Sequence, residues 1–332
     1  MSAVQGMSAL AQAFSGRQVL ALSGGVGGAK LALGLTHNLE PQQLAIVCNT
    51  GDDFEHYGLP ICPDLDTVMY TLAGRNNSEQ GWGLAGESWR TMETLAGLGG
   101  ETWFRLGDLD FATHLQRGAL LRGGASLSAA TRELCAHFGI DYPVWPMSDE
   151  PVRTLVATAG GELNFQHYFV REQCRPAVKG FRFDGIERAR PQAQFIELLH
   201  STQLAAVVVC PSNPFVSIDP ILRLPGVDAA LRDTKAPVIA VSPIVGGVAL
   251  KGPAAKMFTE LQLPSTALAV AEHYGDLLDG FVIDAADAAL APAIEELGVA
   301  VHVTQTVMHT LEDRIELARA VLQFATRLAG DA

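Results

Sequence analysis

Residues 17–49 read RQVLALSGGVGGAKLALGLTHNLEPQQLAIVCN. Arg17–Ser23 is a short apolar run ended by glycine, which predicts a buried strand. The stretch Gly24 to Gly28 turns the chain, and Ala29–Leu39 has helical spacing. Leu44–Asn49 is again apolar throughout and reads as a second strand. Strand, glycine turn, helix and strand in this order open a parallel, doubly wound sheet.

Downstream, Asp66–Leu72, Glu87–Leu98, Ala112–Leu121 and Ser128–Phe138 predict helices. Val152–Thr158 and Leu163–Val170 alternate around Gly160-Gly161 and predict a hairpin. After Pro191 the parallel pattern returns. A helix over Gln194–His200 precedes strands over Ala205–Cys210, Val238–Ser242, Gly280–Asp284 and Val299–Val303, and Thr310–Leu328 reads as a closing amphipathic helix. The expected fold is α/β, a Rossmann-like, doubly wound, mainly parallel sheet. Residues 17–60 and 191–330 would form the nucleotide-binding core, and 61–190 a mixed helical and hairpin insertion on the acceptor side of the site.

Composition narrows the function. The 332 residues are 48% hydrophobic, as a core-forming chain requires. Twenty-three Lys and Arg against 36 Asp and Glu give a net charge of −13, which argues against nucleic acid as a partner. No apolar run approaches the roughly 20 residues of a membrane span. The first basic residue is Arg17, after small and polar residues, so no secretory leader is expected. Five scattered cysteines without a C-x-x-C pair read as reduced thiols of a cytoplasmic protein.

The polar and glycine-rich segments follow predicted strands, where open parallel sheets place their binding crevice. In SGGVGGAK, the amides of Gly24, Gly25, Gly27 and Gly28 can approach a phosphate at a helix start, with Lys30 adding charge. Ala29 and Leu31 break the Walker A pattern and Lys30 breaks the dinucleotide one. In NTGDD, Asp52 and Asp53 can hold Mg²⁺, bind a hydroxyl or take its proton; a solvated turn, or a ribose contact in a nicotinamide-dependent dehydrogenase, is the alternative. Asp64 and Asp66 in CPDLDTVMY suit either helix capping or a metal–diphosphate site. Asp108 and Asp110 in LGDLDFATH read as caps, and His114 as a packed histidine or a site residue. Trp82, Trp89, Trp103 and Phe104 can line an aromatic pocket or fill a core. Ser212 and Asn213, followed by Ser242, Gly246, Gly247 and Lys251, offer further donors for a nucleotide.

Taken in order, LSGGVGGAKL, VCNTGDDFEHYGLPICPDLDTVMYTLAG, GWGLAGESW, LGDLDFATH, GASLSAAT, CPSNPFVSIDPIL and SPIVGGVALKGPAAKM make the chain similar to the 2-phospho-L-lactate transferase family of coenzyme F-420 biosynthesis, from Val19 to about Phe324. It departs from many relatives at Val26 and Leu109. The resemblance implies a guanosine diphosphate ester of phospholactate, phosphoenolpyruvate or 3-phosphoglycerate as donor. It implies the deazaflavin Fo as acceptor through its ribityl hydroxyl, GMP as leaving product, Mg²⁺ as cofactor and a homodimer. Carried onto this chain, it gives Asp53 the acceptor hydroxyl with Asp52 as the second catalytic acid. Asp52, Asp64 or Asp66 would bind the metal, and the Gly24–Lys30 turn would meet the diphosphate. Ser212, Asn213, Ser242, Gly246, Gly247 and Lys251 would hold guanosine, and Trp82, Arg105, Asp108 and His114 would face the deazaflavin. A nucleotide-sugar-binding regulator of the same superfamily is the alternative without transfer chemistry.

Overall fold

The computed structural model describes residues 9–77, 79–249 and 252–330. Seven strands form one parallel sheet: β1 (Gln18–Ser23), β2 (Leu44–Cys48), β5 (Val144–Pro146), β9 (Leu204–Val209), β10 (Val238–Val241), β13 (Gly280–Asp284) and β14 (Ala300–Thr304). Their order is β14-β13-β10-β9-β1-β2-β5, with every neighbouring pair parallel. Apart from Gln18 at the start of β1, the central strands are buried because helices cover both faces, which is why they read as apolar runs. The strand order reverses between β1 and β9, so the crevice opens past Ser23 and Val209.

Three smaller strand groups border this edge. β3 (Phe54–His56) and β4 (Leu59–Ile61) form a hairpin, β6 (Arg153–Thr158), β7 (Gly161–Asn164) and β8 (Gly180–Asp184) an antiparallel sheet, and β11 (Ile244–Val245) and β12 (Val248–Ala249) a short ribbon. No helix among the described residues is long and apolar enough to cross a membrane.

The structure moves several expected boundaries. The first helix runs Gly25–Thr36 and so begins inside the glycine run. Glycine in a helix costs about 1 kcal/mol relative to alanine, and close approach is the reason it stands here. A Cβ at Gly27 would lie 2.3 Å from the Pro211 carbonyl oxygen, and one at Gly34 would lie 2.0 Å from that of Arg314 on the closing Leu311–Gly330 helix. The second strand of the predicted hairpin stops at Asn164, and His167–Arg171 is one wide helical turn. Phe165 and Tyr168 are buried three residues apart, and Phe165 stacks on Phe169 four residues on, a helical period. The segment 61–190, expected as an insertion, returns to the central sheet through β5, its edge strand.

The helix expected over Glu87–Leu98 is Arg90–Gly97, and the one expected from Ala112 runs Asp108–Arg122. Their caps are exchanged. Glu87 accepts from the backbone of Leu109 (2.7 Å) and Asp110 (2.8 Å) at the start of the second helix. Asp108 accepts from the backbone of Arg90 (3.2 Å) and Thr91 (3.1 Å) and from the Ser88 hydroxyl at the start of the first. These bonds hold the Asp108 carboxyl down at about 2.

Candidate active site

At the switch point the loop after β9 closes on the glycine turn. Ser212 Oγ accepts from the Gly24 N–H (3.1 Å) and donates to the Gly24 carbonyl (2.7 Å). Gly25, at φ +63°, donates its N–H to Asp64 Oδ1 (2.7 Å). Asp64 lies in the first turn of the helix Pro63–Leu72, whose cap residue, Cys62, makes no side-chain capping bond. Neither Asp64 nor Asp66 caps that helix. Asp64 instead places its charge at the positive end of the Gly25–Thr36 helix.

Asn49, at the end of β2, gathers the acids. Its Nδ2 is shared by Asp64 Oδ2 (2.9 Å), Asp52 Oδ1 (3.1 Å) and the Val216 carbonyl (3.3 Å). Gln166 Nε2 binds Asp52 Oδ2 (3.1 Å). All three carboxylates of the cluster, Asp52, Asp53 and Asp64, are buried. Burial lifts each one. Asp53 is pushed up to about 7, with the Arg153 charge and the Cys62 thiol bond opposing. Asp64 rises to about 6, opposed by its bonds from Asn49 and Gly25. Asp52 goes well above the carboxylate range, pushed further by the charges of Asp64 and Asp53. Asp53 Oδ1 is a buried acceptor with no hydrogen-bond partner, and Thr50 Oγ1 in the same turn and Ser23 Oγ at the end of β1 share that condition.

Asp52 and Asp64 are therefore two buried oxygen ligands brought together on one amide, with no Lys or Arg at ion-pair distance among the described residues. That all-oxygen set, doubly negative when deprotonated, fits a hard divalent cation such as Mg²⁺. A stability consequence has a definite sign. Groups whose folded pKa is raised bind protons more tightly when folded, so their contribution weakens as pH rises from about 4, the unfolded value, to about 6–7. For Asp64 this is on the order of 3 kcal/mol. In EDTA, Asp64→Asn should melt at a higher temperature than wild type at pH 8 and show a smaller gain at pH 4. Mg²⁺ should raise the wild-type midpoint at pH 8 and leave the variant's unchanged. A variant no more stable than wild type at pH 8 would remove the burial account of the raised Asp64 pKa.

Asp66 and His114 belong to a second cluster. Arg117, 0% exposed, binds both oxygens of Asp66 and also reaches His114 Nδ1 (3.3 Å) and the Pro60 carbonyl (3.3 Å). His114 Nε2 lies 3.3 Å from Asp110 Oδ1, which also accepts from the Tyr70 hydroxyl (2.6 Å). Burial pushes Asp110 up, but the His114 and Tyr70 bonds outweigh it and leave the carboxyl low. Asp66, Asp110 and His114 bring ligand atoms within 4.8 Å of one another, a group that could hold a metal, but the guanidinium already neutralises Asp66.

The remaining expected residues are spread along the rim. Lys30 Nζ donates to the Met308 carbonyl (2.7 Å). Asn213 Oδ1 accepts from the Phe215 N–H (3.0 Å), holding its own turn. Ser242 Oγ bonds Ile244 within one turn, and the Gly246 N–H goes to Asp287 (2.9 Å). The Gly247 carbonyl accepts from Ser265 (3.1 Å). Lys251 lies outside the described residues. Trp82, 41% exposed, meets Trp89, whose ring carries the Arg105 guanidinium at 4.2 Å. Asp108 is committed to its helix cap. A second aromatic group starts directly after Asp53: Phe54, His56, Trp103 and Phe104 are in mutual ring contact, and His167 meets Trp103. Sequence analysis did not single out Asn49, Gln166, Arg117 or Arg153; the contacts of Asn49 with Asp64, Arg117 with Asp66 and Gln166 with Asp52 span 15, 51 and 114 residues, beyond any local pattern.

Comparison with known proteins agrees with this architecture. The family model described as 2-phospho-L-lactate transferase CofD matches residues 19–321. The phosphoenolpyruvate transferase of Streptomyces griseus is 40% identical over 314 residues, covering 93% of this chain and 98% of that protein. The 2-phospho-L-lactate transferase of Methanosarcina acetivorans is 40% identical over 304 residues, covering 92% and 98%. A crystal structure of a UPF0052 family member from Bacillus halodurans shares the fold, with a TM-score of 0.61 at 15% identity over 92% of this chain and 98% of that one. Matched along nearly its whole length by the family model and by complete relatives at 40% identity, the chain belongs to the 2-phospho-L-lactate transferase family.

Proposed function

We propose that this enzyme moves a phosphorylated three-carbon acid group from a guanosine diphosphate ester to the ribityl hydroxyl of the deazaflavin Fo, giving an F-420-0-type phosphodiester and GMP. The observation that carries the reading is Asp53: a buried carboxylate with an unpartnered oxygen, raised to about 7, beside two further acids at the sheet's switch point. Such a group suits a general base at neutral pH. The Fo hydroxyl oxygen attacks the phosphorus bearing the acid group, its proton passes to Asp53, and GMP leaves with the electron pair of the broken P–O bond. Asp52 and Asp64 would hold Mg²⁺, which supplies charge neutralisation to the diphosphate when bound. Gly27 and Gly28 turn the helix start toward the diphosphate, while the Gly24 and Gly25 amides are taken by Ser212 and Asp64. Their tight packing on the loop after β9 fixes Ser212 against them. The aromatic group after Asp53, together with Trp82 and Arg105, offers flat surfaces for the deazaflavin. Lys251, Asn213, Ser242, Gly246 and Gly247 remain the guanosine side of the proposal, and a cytoplasmic homodimer its setting.

The relatives' names divide between phosphoenolpyruvate and 2-phospho-L-lactate at equal identity, so the acid is read by experiment. Incubation with Fo, Mg²⁺ and each guanosine diphosphate ester in turn, followed by mass spectrometry, should give one Fo phosphodiester in stoichiometric amount with GMP. Ligand binding without GMP release from any donor would instead support a nucleotide-binding regulator.

A further inference from the structure

We propose that Arg153 is an anion-binding residue of this site, its guanidinium receiving an oxyanion of the donor's phosphorylated-acid end; the choice of ligand rests on the transfer reading above. The Thr154 N–H donates to the Gly51 carbonyl at 2.5 Å, which splices the start of β6 to the turn bearing Asp52 and Asp53. The junction is tight: a Cβ on Gly51 would lie 2.7 Å from Thr154 Oγ1. Around it, Thr50 Oγ1, Asp53 Oδ1 and Thr154 Oγ1 are all buried without a hydrogen-bond partner. Buried polar atoms left without a partner are destabilising, and three at one junction mark a place where a polar ligand completes the bonding.

Arg153 stands at this junction half-buried. Its Nη1 donates to the Val152 carbonyl (2.7 Å), and among the described residues no carboxylate lies at ion-pair distance from it. A guanidinium has five N–H donors in a planar fork that matches phosphate or carboxylate oxygens. The other cations near the acids are committed elsewhere: Arg117 to Asp66, and Lys30 to the Met308 carbonyl. A phosphorylated acid entering beside three carboxylates needs positive charge from the protein as well as from any metal, and Arg153 is placed to give it. Its field already draws Asp52 and Asp53 downward against burial.

The test uses the full chain with Mg²⁺ present, comparing wild type, Arg153→Lys and Arg153→Met. Calorimetric titration with inorganic pyrophosphate and with GDP is paired with steady-state kinetics on the donor ester. Loss of a charge-assisted contact corresponds to a roughly 10- to 100-fold weakening. Weakening of that size for pyrophosphate and GDP in Arg153→Met, smaller in Arg153→Lys, places the guanidinium on phosphoryl oxygens. Unchanged pyrophosphate and GDP binding with a similar rise in the ester's KM, and kcat preserved, places it on the acid's carboxylate. Unchanged binding and unchanged KM overturn the proposal. Arg153-dependent pyrophosphate binding in a wild-type chain that ignores GDP and Fo would refute the transfer reading and leave the anion site standing.

Discussion

Asp53→Asn should lower kcat by about two to four orders of magnitude, the usual contribution of a positioned general base, while guanine-nucleotide affinity stays near the wild-type value. The substitution preserves volume and removes only the basic oxygen. Asp53 Oδ1 is buried without a partner, and the amide oxygen of Asn can keep the bond from the Cys62 thiol. Burial is the main force raising its pKa to about 7, so the neutral amide is no worse accommodated than the carboxylate, and the fold is expected to survive. Steady-state rates with the cognate ester, alongside calorimetric titration with GDP, separate the two effects. Turnover within threefold of wild type would take Asp53 out of the chemistry. A loss of GDP affinity equal to the loss of rate would make it a binding group instead.

Arg117→Met should destabilise the protein by about 3–5 kcal/mol, the range found when one partner of a buried ion pair is removed. The guanidinium is completely enclosed and spans three elements. It joins the helix Pro63–Leu72 through Asp66, the β3–β4 hairpin through the Pro60 carbonyl, and its own helix through His114. Removing it strands the Asp66 carboxylate away from water. Arg117→Lys should recover only a fraction, because one ammonium cannot serve both Asp66 oxygens and Pro60 together. The double variant Arg117→Met/Asp66→Asn should be more stable than Arg117→Met alone, since the stranded charge is gone. Urea denaturation measures all four proteins. A cost below about 1 kcal/mol for Arg117→Met would show that water reaches Asp66 freely.

The fold was legible where burial writes directly into composition. β1, β2, β9, β10 and β13 are covered on both faces and appear as continuous apolar runs, and the glycine run marked the first crossover. β5 was not legible: it is three residues at the sheet edge ending in Pro146, a position where proline is tolerated because one side needs no partner. Helix starts were misplaced where the capping group is remote in sequence, as with Glu87 and Asp108, whose carboxylates serve each other's helix. In the site, the acids of NTGDD and Asp64 could be chosen from residue type and position after a strand. Which acid meets which partner could not, because Asn49, Gln166 and Arg117 act through tertiary contacts. Asp66 illustrates the limit: its motif suited a metal, and a buried arginine 51 residues away took its charge.

The exchanged caps of Arg90–Gly97 and Asp108–Arg122 carry one more implication. Neither helix start is satisfied unless the other is in place, and the chain between them holds Trp103, Phe104 and Arg105. The two helices and that aromatic connector thus form one cooperative folding unit, which opens to solvent as a whole or not at all. The ring surface offered to a planar cosubstrate is therefore preorganised by two carboxylates that never touch it.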